Sequence, residues 1–120
     1  MDRSQCIDLY CSAWNEPHHD KRVAILRRVA TLDVSYIDPT VDLCGIEMPM
    51  WHVDLVAAKY PGSTIARTTA IDSVGPYARF GWRKILSDGK ALPDSADIVR
   101  FTSDGKLLQV IGFFGPLRDC

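Results

Sequence analysis

The chain has 120 residues, enough for one hydrophobic core and too few for two, so it reads as a single domain over residues 1–120. Hydrophobic residues make up 47% and charged residues 24%, which excludes a disordered chain, and no apolar run approaches the roughly 20 residues of a bilayer span. The formal net charge of −1 gives no electrostatic reason to expect nucleic acid as a partner.

Helical signals come first. From Arg3 to Trp14 the positions Cys6, Ile7, Tyr10, Cys11 and Trp14 recur at three and four and mark one face. "NEPHHD" interrupts, with Pro17 suited to the first turn of a second helix that runs to about Ala30. The basic run "KRVAILRR" within it reads as a solvated helix face. A short strand from Val34 to Asp38 follows, then a loop with Pro39 and Gly45. A third helix, about Pro49 to Tyr60, is stopped by the Pro61–Gly62 pair. The remainder alternates as antiparallel sheet: "STIARTTAI", "YARFGWRKIL" after a "DSVGP" turn, then about Ala91 to Thr102 and Lys106 to Phe114. Asp-Gly turns in "SDGK" at 87 and again at 103 separate the last three strands. The order is helix, helix, strand, helix and four strands, an α+β domain with helices on one face of a curved sheet.

The opening residues "MDRSQCIDLY" lack the basic-then-apolar layout of a signal peptide, so a cytoplasmic location is expected, with Cys6, Cys11, Cys44 and Cys120 reduced. Their spacing matches no zinc pattern, and Cys6 and Cys11 read as small buried residues at a helix interface. His18, His19 and Asp20 at a helix start lack a further ligand nearby, so no metal is expected. No phosphate-binding glycine loop is present, and no cofactor is expected.

Two carboxylates stand out. If Val34 and Tyr36 face a core, Asp38 points the same way, because strand side chains alternate with a period of two. Pro39 holds Asp38 in extended geometry and ends the strand there or puts it at an edge. The competing reading is a turn-forming Asp-Pro with its side chain in water. In "SADIVRFTSDGK", Asp97 shares a face with Val99 and Phe101; the competing reading is a surface acid or a partner for Arg79 or Arg83. Tyr10 lies on the apolar stripe of the first helix, where a tyrosine is ordinarily core with its hydroxyl satisfied.

In order and spacing these features resemble the nuclear transport factor 2-like superfamily, in particular its SnoaL-like and steroid delta-isomerase branches. The landmarks are "LYCSAWN" in the first helix, "YIDP" closing the first strand, and "DIVRF" with "DGK" leading into "VIGFFG". The resemblance implies a cone-shaped, cystatin-like fold: three N-terminal helices packed on a strongly curved, mainly antiparallel sheet that encloses a pocket. It also implies a homodimer through the outer face of the sheet. In the steroid isomerase branch, which serves as a standard example of a carboxylic acid kept neutral by an apolar site, the matching positions are Asp38 as general base and Tyr10 and Asp97 as oxyanion donors. In the polyketide-cyclase branch, the acid at the Asp97 position is the acid/base residue.

The expectation is a cofactor-independent isomerase acting on a small apolar or aromatic carbonyl compound. A SnoaL-like cyclase and a non-catalytic ligand-binding or dimerising module are the alternatives. Trp14, Tyr36, Trp51, His52, Phe80, Trp82, Phe101 and Phe114 are the expected substrate contacts, His52 being either a ligand contact or an ordinary partly exposed histidine. An inward Arg67, Arg79 or Arg83 would pair with Asp97 and keep it ionised.

Overall fold

The computed structural model describes all of residues 1–120. The chain forms α1 (Arg3–Asn15), α2 (His19–Val29), β1 (Ala30–Asp38), β2 (Val41–Cys44), α3 (Glu47–Lys59), β3 (Thr64–Arg67), β4 (Asp72–Val74), β5 (Tyr77–Ile85), β6 (Ser95–Phe101) and β7 (Leu107–Phe113). A reciprocal cap starts α1: the Asp2 carboxylate accepts from the Gln5 amide at 2.8 Å, and the Gln5 side chain accepts from the Asp2 amide at 2.9 Å. Two glycines with positive φ bracket α3, Gly45 (φ 89°) before it and Gly62 (φ 76°) after it.

The strands form one open sheet in the order β2-β1-β7-β6-β5-β3, with β4 added beside β5. Only the β1–β7 pair is parallel, so the sheet is mixed and mainly antiparallel, as expected. Register shifts between Ala30 and Ser35 and between Arg100 and Phe101 interrupt the ladders, and such bulges bend strands. The result is the cystatin-like cone, with three helices covering the concave side of a curved sheet.

Two strands appear where a loop and a turn were expected. "VDLC" pairs back on β1, with Asp38 opposite Val41 and only Pro39 and Thr40 between them. Its four residues and central Asp42 are too short and too polar to stand out from a loop. β4 lies within "DSVGP" and is wholly exposed, so it carries no burial pattern to read. β1 also begins at Ala30, because α2 passes into extended backbone there without a breaker (φ −123°, ψ 155°).

One end of the cone is solid. Cys6, Ile7, Val29, Val99, Leu107 and Val110, each under 2% exposed or close to it, fill the space between helices and sheet, and none of them reaches the cavity described below. No helix is long and apolar enough to cross a membrane.

Candidate active site

The other end of the cone is hollow. A cavity of about 630 Å³ lies between α1, α3 and the concave sheet. Tyr10, Trp14, Tyr36, Asp38, His52, Phe80, Trp82, Asp97 and Phe114 all line it, so the three expected catalytic side chains and six of the expected contacts meet in one place.

Asp38 points inward and also forms the turn, but its side chain is not in water. Its Oδ1 accepts from the Thr40 amide at 2.7 Å, the Thr40 hydroxyl at 2.6 Å and the Val41 amide at 3.2 Å, which is the turn-forming role of an Asp-Pro. Its Oδ2 turns inward, accepts from the Tyr36 hydroxyl at 2.6 Å, and lies 3.5 Å from His52 Nε2. The side chain is 3% exposed. Burial alone would raise its pKa. The donors from His52, Thr40 and Tyr36 outweigh it and hold the carboxyl well below the usual range, so it stays ionised.

Asp97 sits in the middle of β6, 7% exposed. Trp82 Nε1 donates to its Oδ1 at 2.9 Å, and Oδ2 has no protein partner. Burial, with a smaller push from the charge of Asp38, raises its pKa to about 7 against the opposing pull of the Trp82 bond. No arginine reaches it: Arg67 pairs with Asp8, Arg79 with Asp72 and Arg83 with Asp94.

Gly112 of β7 lies between the two acids. A Cβ there would lie 3.2 Å from Asp97 Oδ1 and 3.3 Å from the Asp38 Cβ, so the glycine lets both carboxyl groups sit close together without crowding. Tyr10 is buried against them. Burial first, and then the charge of Asp97, hold its phenol protonated far above the ordinary range, against the pull of a hydrogen bond from Trp14. Tyr36 is likewise kept protonated by burial and by the neighbouring Tyr10 and Asp38. Trp14, Tyr36 and His52 pack as a trio with ring centroids 5.4–6.1 Å apart, which fixes the imidazole. His52 is 8% exposed, so it is a buried residue and not the partly exposed one expected as the alternative.

Two expected contacts do not reach the cavity. Trp51 is 52% exposed. The face of α3 that lines the hollow is His52, Leu55, Val56 and Lys59, and Trp51, one residue off that stripe, is rotated away from it. Phe101 shares the inner face of β6 with Asp97 but lies four residues further on, about 13 Å along the strand. There it is 2% exposed in the solid end, with Arg3 stacked 4.9 Å from its ring. His18 and His19 diverge to separate partners, Glu16 and Asp54.

Several lining residues lay outside the expected set. Cys11, read as core, lines the wall, its thiol pushed up to about 12 by burial. Leu55, Val56, Lys59 and Tyr60 of α3 and its C-cap, and Lys84, Leu92 and Pro93 from the β5 side, surround the mouth. The i, i+3, i+4, i+7 spacing from His52 to Lys59 was the available signal for the α3 wall.

No protein-family model and no curated protein matches this chain. Solved structures do. A SnoaL-like family protein from Agrobacterium tumefaciens, provisionally named an isomerase, superposes with a TM-score of 0.87 at 25% identity over 92% of this chain and 95% of that one. A nuclear transport factor 2-like protein of unknown function from an Exiguobacterium species gives 0.69 at 18% identity, covering 89% and 95%. A provisionally named SnoaL-like polyketide cyclase from a Jannaschia species gives 0.65 at 16% identity, covering 92% and 85%. The fold is that of the nuclear transport factor 2-like superfamily, and its structural neighbours include the SnoaL-like branch that the sequence resembles.

Proposed function

We propose that the protein is a cofactor-independent enzyme that moves protons beside the carbonyl of a small, mostly apolar compound. One observation carries the reading: two carboxyl groups share one cavity, and their surroundings push their protonation in opposite directions. Such a split is how a single site holds an acid and a base near neutral pH.

The hydrogen bonds divide the roles. Asp97 keeps one oxygen free of protein donors and titrates near 7, where a group gives and takes a proton with most equal ease. It is the proton carrier: as a carboxylate it takes a proton from the carbon next to the carbonyl and returns it to the product carbon. The enolate that forms puts negative charge on the carbonyl oxygen, and the Tyr10 O–H, held protonated by burial, is the donor for it. Asp38, with both oxygens already occupied, is a poor base. It is the fixed charge that orients Tyr36 and His52.

The steroid-isomerase arrangement is the second reading, with Asp38 as base and protonated Asp97 as oxyanion donor. It is favoured by Asp38 Oδ2 being turned toward the cavity with Asp97 poised to hold a proton. Proton exchange decides between them. Cyclic ketones and β,γ-unsaturated ketones incubated with the protein in D₂O are followed by NMR for deuterium at the α-carbon. Asp97 as base makes the rate rise as pH passes about 7, whereas Asp97 as protonated donor makes it fall. No exchange above the rate of an Asp97→Asn, Asp38→Asn double variant leaves a ligand-binding module.

We also propose a homodimer through the outer sheet face. Ile37, Ile111 and Ile98 stand in register across β1, β7 and β6, and Ile37, Ile98 and Phe113 are exposed there. Light scattering reads the mass, and Ile98→Arg is expected to give the monomer.

A further inference from the structure

The mouth of the cavity carries a pair of cations that the proton-transfer chemistry does not use. Lys59, at the end of α3, and Lys84, on β5, both line it, and their ammonium groups converge on the ring of Tyr60, at 5.4 Å and 4.4 Å from its centroid. The arginines of β3 and β5 each have their own carboxylate, but neither lysine has an acidic partner within 4.0 Å.

Lys59 has an ordinary explanation, because a cation in the last turn of a helix complements the helix dipole. Lys84 has none. It is a strand residue, half-buried, and burial followed by the like charge of Lys59 pushes its pKa down; the only acid acting on it is Asp38, beyond ion-pair distance. The Tyr60 ring attracts both ammonium groups but carries no net charge to offset them, and an anion between them would supply it. The same mouth is otherwise apolar, with Leu55, Val56, Ile65 and Leu92 around the lysines.

We propose that the ligand is amphipathic: an apolar carbonyl compound that also bears a carboxylate, which Lys84 and Lys59 bind at the mouth while the carbonyl lies on the floor between Tyr10 and Asp97. This rests on the reading of the cavity as a substrate site and adds the substrate's charge and direction. The carboxylate end is excluded from the floor, where Asp38 is anionic, and attracted to the mouth, so the ligand enters with one orientation.

The test compares naphthoylpropionate, an aryl keto acid, with its own primary amide, by calorimetry and by quenching of tryptophan fluorescence. The acid is expected to bind at least about tenfold tighter than the amide, as hydrogen bonds to a charged group would give. That ratio is expected to fall with added salt and to collapse toward one in Lys84→Gln. Equal affinities, binding of neither compound, or a ratio that survives the Lys84→Gln, Lys59→Gln double variant overturns the proposal. Deuterium exchange on neutral ketones with no preference for acids refutes the lysine site and leaves the proton-transfer reading standing. Acid-selective binding without exchange does the reverse.

Discussion

The end of β1 and the middle of β6 each deliver an aspartate to the same cavity floor, on either side of Gly112, and the two residues have opposite chemistry. Burial pushes both carboxyl groups toward the neutral form, and Asp97 is the more deeply buried residue of the two. Donors set them further apart. Asp38 has His52 beside its Oδ2, hydroxyls from Thr40 and Tyr36, and, because it lies at a hairpin turn, the backbone amides of Thr40 and Val41. Asp97 lies inside a ladder whose amides are spent on strand pairing, and it gets one indole N–H. A carboxylate with several donors is stabilised as an anion; one buried deep in a strand with a single donor is left near its neutral form. Depth and donors act together: Asp38, the shallower, collects His52, Thr40 and Tyr36, and Asp97, the deeper, has Trp82 alone.

The largest expected effect follows from that division. Asp97→Asn removes the proton carrier and is expected to slow α-proton exchange by about 10²- to 10⁴-fold. Asp38→Asn, which keeps the shape but loses the fixed charge, is expected to cost far less. A ranking in the opposite order reverses the roles and restores the steroid-isomerase arrangement.

Stability should separate the same two residues by sign. The folded-state pKa of Asp97 lies above its unfolded value, so its contribution to stability is fully present below about pH 4 and is lost as pH rises through about 7. Asp38 is depressed, so its contribution is present above about pH 4 and is lost as pH falls through its lower folded value. Urea unfolding at a series of pH values is expected to show Asp97→Asn gaining on the native protein by a few kcal/mol toward pH 8, at roughly 1.4 kcal/mol per pKa unit. A native protein with no loss of stability between pH 4 and 8 would show that Asp97 is an ordinary ionised acid.

How far the sequence reached can be seen in these same elements. The period of two placed Val34, Tyr36 and Asp38 on one face and Asp97, Val99 and Phe101 on another, and the structure has them so. A period reports the face of a strand and nothing of its position along the cone, which is why Phe101 was expected in a cavity that ends before it. Trp51 failed for a related reason: the helical stripe of α3 is weakly amphipathic in "MPMWHVD", and aromatic character pointed one residue away from it. The donors around Asp38 depend on a two-residue hairpin too short to read from "PTVDLC", and the pairing of Lys59 with Lys84 joins a helix end to a strand 25 positions on. Both are products of tertiary register.

Gly112 allows a smaller intervention that touches both acids at once. In Gly112→Ala the new methyl group meets Asp97 Oδ1 at 3.2 Å and the Asp38 Cβ at 3.3 Å, so one or both side chains must move by a few tenths of an ångström. Overpacking of this kind costs about 1–3 kcal/mol. Asp97 is the less tethered of the two and is expected to yield, loosening the Trp82 bond, the one influence holding its pKa down. Carboxyl carbon NMR is expected to show Asp97 titrating higher than in the native protein, with Asp38 still low. If Asp38 moves instead, the argument that its donors anchor it is wrong.

Tyr36→Phe is the mildest test of that anchoring. It deletes the 2.6 Å bond to Asp38 Oδ2 and leaves the three bonds from Thr40 and Val41 to Oδ1. A single hydrogen bond to a charged acceptor contributes about 1.5–3 kcal/mol, but His52 Nε2, 3.5 Å from the same oxygen, is placed to close on it and recover part of the loss. The expected outcome is therefore a destabilisation of about 1 kcal/mol at neutral pH and an Asp38 that titrates higher yet still below an ordinary aspartate. Asp97 should be nearly unmoved, because its environment is built by burial and Trp82 and not by the turn. If losing one hydroxyl brings Asp38 up to the range of Asp97, His52 and Thr40 are not what separates the two acids, and the contrast between them is owed to Tyr36.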